Sequence, residues 1–82
     1  MAKVTPESLT PKHVKAARVL LDWGAADLAK QASIGVSTVK VFESGKPIRD
    51  SSKQAIIDAL EAASIQLYNG GQTGARLMKA DK

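Results

Sequence analysis

Residues 25–45 read Ala-Ala-Asp-Leu-Ala-Lys-Gln-Ala-Ser-Ile-Gly-Val-Ser-Thr-Val-Lys-Val-Phe-Glu-Ser-Gly, and this stretch decides the fold. From Ala25 to Ala32, Leu28, Ala29 and Ala32 share one face at helical spacing, while Asp27, Lys30 and Gln31 share the other. Only Ser33-Ile34-Gly35 separates this helix from the next, which runs from Val36 to about 44 with Val39 and Phe42 inward. Gly45 stands where a left-handed glycine ends a helix, and Pro47 forbids its continuation. Two short helices joined by about three residues form a helix-turn-helix unit. Ala29 stands where the two cross and has to be small.

Outward from this unit, Thr10-Pro11 reads as a helix start, a threonine N-cap followed by proline at the first helical position. Val14, Ala17, Leu20 and Leu21 then recur at three-and-four spacing, which predicts an amphipathic helix over about 10–23, closed by Gly24. Residues 1–9 lack that periodicity and read as a flexible arm. On the other side, 46–50 form a loop, with Asp50 or Ser51 as N-cap of a fourth helix over about 51–63 whose inner face is Ile56, Ala59, Leu60 and Ala63. After Ser64 the period becomes two. Ile65-Gln66-Leu67-Tyr68 and Ala75-Arg76-Leu77-Met78 alternate about Asn69-Gly70-Gly71, which predicts a β-hairpin over 64–78 and a tail at 79–82.

Composition bounds the rest. The chain has 82 residues, room for one domain and no second module. Aromatics are 4% (Trp23, Phe42 and Tyr68), so the expected core is aliphatic: Val14, Ala17, Leu21, Leu28, Ala29, Ile34, Val39, Ile56, Ala59, Leu60 and Ile65 around Phe42. With no cysteine and one histidine, no metal centre, disulfide or other cofactor site is expected. No long apolar run or signal-peptide block is present, so a cytoplasmic protein without membrane contact is expected. A net charge of +4 inclines the chain toward polyanions.

Ala17-Arg18, Leu28-Ala29, Ser37-Thr38-Val39 and Phe42-Glu43-Ser44-Gly45, in this order and spacing, resemble the phage-repressor (Xre or lambda-repressor-like) family of DNA-binding domains over roughly residues 12 to 63. The resemblance implies a mainly α, four-helix lambda-repressor-like domain, here with a C-terminal β-hairpin. It also implies an Arg18–Glu43 ion pair between the first helix and the end of the third. In this family the third helix enters the major groove and the second crosses the backbone. By position, Gly35, Val36, Ser37, Lys40 and Val41 would face the groove. Thr38, Ser44, Lys46 and Arg49 would lie near phosphates, and Lys40 would add a backbone charge. The implied function is sequence-specific binding of double-stranded DNA by a transcriptional regulator.

The chain also departs from that pattern. Helix two opens on Gly24-Ala25-Ala26 in place of a polar cap and glutamine; Gly35 replaces a Ser or Thr cap; Val41 replaces Arg or Lys. No Arg, Gln or Asn, the residues with bidentate base geometry, lies on the recognition helix. An alternative therefore stands beside the first: an antiactivator that presents Val36 and Val41 to a transcription regulator and sequesters it. Catalysis is not expected. His13 reads as a solvated residue beside Lys12 and Lys15, and Gly70-Gly71-Gln72-Thr73-Gly74 as a hairpin turn with no phosphate-binding Lys-Ser/Thr after it. Trp23 reads as a lid on the core. A two-stranded hairpin leaves an open edge, which a homodimer would close by edge pairing.

Overall fold

The structure, a computed structural model, describes residues 4–68 and 74–77. In chain order these form α1 (Pro11–Leu21), α2 (Ala25–Ala32), α3 (Val36–Glu43), α4 (Asp50–Ala62), β1 (Ile65–Tyr68) and β2 (Gly74–Leu77). The protein is mainly helical. Its two strands pair antiparallel, with Ile65 opposite Leu77 and Leu67 opposite Ala75. The expected turn at Asn69–Gly71, Met78 and the tail lie outside the described residues, as do the side chains of Tyr68, Arg76 and Leu77.

Local chemistry sets each boundary. The Thr10 side chain accepts the backbone N–H of His13, and Pro11 opens α1. Asp22, with φ 59°, closes α1 in the left-handed conformation, not Gly24. Aspartate tolerates that conformation better than most side chains. Gly24, with φ −82°, is instead the N-cap of α2. Its own missing side chain is partly replaced by Asp27, whose Oδ2 accepts the Gly24 N–H at 2.8 Å. Ser33, also left-handed at φ 59°, ends α2. Gly45 has φ 99° after α3, the conformation for which a glycine is needed. At α4 the chain turns one residue earlier than expected: Arg49 is the N-cap and Asp50 is in the first turn, where a carboxylate favours the helix dipole.

The core lies where α2 crosses α3 and α4, closed over by α1 and the hairpin. Val14, Ala17, Leu28, Ala29, Val39, Phe42, Ile56, Ala59, Leu60 and Ile65 are all buried. Leu21 and Ile34, expected there, are only half-buried at its rim with Trp23 and Ile48. Leu20 fails to join the core and remains 43% exposed. β1 packs on α4 and β2 on α1. Leu67 is thereby buried beside Ile65, so its side chain belongs to the core and not to an open sheet edge.

Two expectations about the N-terminal part are corrected. The flexible arm over 1–9 is in part an anchored segment: Val4 and Leu9 are buried in the core, and a turn joins them, with the Leu9 N–H donating to the Thr5 carbonyl at 2.9 Å. An apolar pair five residues apart has no helical or strand period, which is why pattern reading passes over it. His13 is completely buried rather than solvated. Its Nδ1 accepts the Thr10 backbone N–H at 3.0 Å and lies 3.0 Å from Thr10 Oγ1. The ring thus acts as the reciprocal half of the α1 capping box, a place usually taken by Glu or Gln.

Candidate functional site

α3 is held along its inner side and at its far end. On its inner side Val39 and Phe42 are buried, and Gly35 caps its start with extended backbone (φ −72°, ψ 146°) and no side-chain hydrogen bond. At its far end Glu43 meets Arg18 of α1 in a two-pronged contact: Nε to Oε2 at 2.7 Å and Nη2 to Oε1 at 2.8 Å. A third guanidinium N–H donates to the Trp23 carbonyl at 3.0 Å, which also fixes the turn between α1 and α2. The hydrogen bonds to Glu43 raise Arg18 above its ordinary pKa; partial burial opposes them and the charge of Glu43 reinforces them. The cation therefore persists at every physiological pH.

The side chains of this pair are 22% and 10% exposed. It is too covered to behave as a solvated surface pair and too open to carry the full cost of burial. Glu43→Ala should destabilise the fold by about 1.5–3 kcal/mol, because a half-covered guanidinium loses a charge-assisted partner. Urea unfolding measures this; a loss under about 0.5 kcal/mol would equate the pair with an exposed one.

Fixing the inner side of α3 fixes what its outer side presents. Val36, Ser37, Lys40 and Val41 are exposed, the two valines 40% each, and Thr38 is half-covered. Beyond the helix, Ser44, Lys46 and Arg49 are exposed as well. Ser44 is already engaged, since its hydroxyl donates to the Val41 carbonyl at 2.7 Å. Gly35, Thr38 and Arg49 converge on an open depression of about 420 Å³ between the starts of α3 and α4, with Ile34, Ile48 and Ser52 completing its wall. Ser52 and Ile48 escaped sequence reading; the only available signal was a hydroxyl in the first turn of α4.

Two further groups give this region its charge. Lys53 of α4 has its ammonium 3.9 Å from Asp50 Oδ1 and 6.0 Å from the centre of the Phe42 ring, so its charge is turned inward. Lys40, Lys46 and Arg49 form no ion pair among the described residues. The outward surface of α3 and its following loop therefore combines three uncompensated cations, the Ser37 hydroxyl and two valines. A surface of this kind can bind phosphate oxygens through its cations, donate a hydrogen bond through Ser37, and make apolar contact through Val36 and Val41. No protein-family model matches the chain, and a search of curated proteins finds no relative.

Proposed function

We propose that the protein is a sequence-specific DNA-binding regulator of the helix-turn-helix type, with α2 and α3 as the motif and Val36–Glu43 as the recognition helix. The observation that carries this reading is the outer surface of α3. Its inner face is locked by Val39, Phe42 and the Glu43–Arg18 contact, so Val36, Ser37, Lys40 and Val41 project as one preset face. Lys46 and Arg49 extend its positive charge beyond the helix.

In this reading Lys40, Lys46 and Arg49 meet phosphates, Ser37 donates to a base edge or phosphate, and Val36 and Val41 contact thymine methyl groups. Selection from a randomised duplex pool tests it. The protein should enrich a defined sequence, and Ser37→Ala should change the preferred bases while leaving melting unaltered. Recovery of no sequence above background, in low salt, counts against sequence-specific binding.

A second reading is favoured by one feature, the 40% exposure of both Val36 and Val41 on a helix without bidentate base-reading side chains. There the same face docks on a transcription regulator and sequesters it. Substituting both valines by serine discriminates. It should abolish protein capture, yet leave the salt-dependent part of duplex binding, which the cations supply.

A further inference from the structure

α1 presents a second exposed surface that the proposed interface does not use. Val19 is 79% exposed and Leu20 43% exposed, the two most exposed large apolar side chains among the described residues. At about 100° per residue, Lys12, Lys15 and Ala16 fall within about 60° of Val19 on the helix surface. Leu20 flanks them toward His13, and Arg18 lies on the opposite flank toward α3. The result is a ridge: Val19 at its middle, small Ala16 beside it, Lys12 and Lys15 toward the N-terminus, and Asp22 at the C-terminal end. Lys12, Lys15 and Asp22 are exposed and form no ion pair among the described residues.

That charge order is self-complementary. In two copies of α1 packed antiparallel about a twofold axis near Val19, each residue n comes level with residue 38 − n of the partner, because both helices rise by about 1.5 Å per residue. Ala16 then comes level with Asp22 of the other copy, and Lys15 lies within one residue of it. Both Lys–Asp contacts form by the same symmetry operation, as an isologous interface requires. The lysines also approach the C-terminal end of the partner helix, where a cation is favoured. In a parallel arrangement lysines would face lysines, so the charges select the antiparallel one.

We infer that the outer face of α1 (Lys12, Lys15, Ala16, Val19 and Leu20) associates with the same face of a second copy of this chain, antiparallel and through reciprocal Lys15–Asp22 contacts. One ridge on one short helix covers less than the about 800 Å² per partner of a standard interface. The association is therefore weak and concentration-dependent, with a dissociation constant of roughly micromolar or above. It differs from pairing along the hairpin edge and does not depend on the DNA-binding reading.

Sedimentation equilibrium of the full chain from low micromolar to about millimolar concentration tests the inference. The wild type should move from monomer to dimer. Val19→Asp should raise the dissociation constant by about tenfold or more. Thermal melting at low concentration should be lowered by no more than about a few degrees, since the side chain is 79% exposed and the new carboxylate meets only the dipole at the end of α1. Lys15→Glu should weaken the dimer in low salt, and adding Asp22→Lys in the same chain should restore it. Two results overturn the inference. One is a monomer at every concentration, which leaves the α1 face to a different protein. The other is a dimer indifferent to Val19→Asp, which places the contact elsewhere, on the hairpin for example.

Discussion

Phe42→Ala should leave the protein largely unfolded at room temperature. Phe42 is 4% exposed and belongs to the hydrophobic core on the inner face of α3. Replacing it removes the largest apolar side chain of the core and leaves a cavity that rigid helices close only in part. Such substitutions cost about 3–5 kcal/mol. A domain of this size has a total stability near the lower end of about 5–15 kcal/mol, so the loss is comparable to the whole. The ring also faces a cation, the Lys53 ammonium, 6.0 Å from its centre. Circular dichroism should show a low, broad melt. A cooperative transition within a few degrees of the wild type would show that the α1–α3 contact does not depend on Phe42.

Replacing Lys40, Lys46 and Arg49 together by alanine should reduce duplex affinity by about a hundredfold at moderate salt, with no loss of fold. All three side chains are exposed and unpaired among the described residues, so their removal leaves no buried charge behind. Each phosphate contact contributes about 0.9 to the slope of log affinity against log salt. Losing three should flatten that slope by roughly 2.7, and the loss should be nearly equal for every duplex sequence. This uniformity separates the cations from Ser37, whose replacement alters preference instead. A triple variant with unchanged affinity and slope would remove these residues from any polyanion interface.

Much of the fold is legible in the sequence because its signals are local and redundant. Leu28, Ala29 and Ala32 share a period with Asp27, Lys30 and Gln31, and the bounds of α2 follow from them. The Thr10-Pro11 start and the Gly45 stop are single-residue signals with one mechanism each. Where the reading failed, tertiary contact overrode local pattern. Val4 and Leu9 have no period, yet both reach the core. His13 carries a polar ring that suggests solvent, but its Nδ1 is satisfied at Thr10, three residues away. Leu20 matches the apolar spacing of α1 and still faces largely outward, because the inward arc is already filled by His13, Val14 and Ala17.

The candidate site was legible in a different sense. Spacing and resemblance marked Gly35, Val36, Ser37, Thr38, Lys40, Val41, Lys46 and Arg49, and the structure gathers them around α3 and the start of α4. The Arg18–Glu43 pair is legible through the resemblance alone, since no local spacing joins two residues 25 apart; the structure brings the two side chains into contact. The Ser44 hydroxyl bond to Val41 and the placement of Ser52 in the depression depend on backbone geometry that no motif encodes.

The central claim is that the outward face of α3 meets DNA. Amide chemical-shift mapping of the labelled protein with a selected duplex, repeated at low and high salt, tests it most directly. The account predicts salt-sensitive shifts concentrated at Val36, Ser37, Lys40, Val41, Lys46 and Arg49, with α1 little changed. Absence of any shift in low salt, or shifts confined to surfaces away from α3, would contradict it.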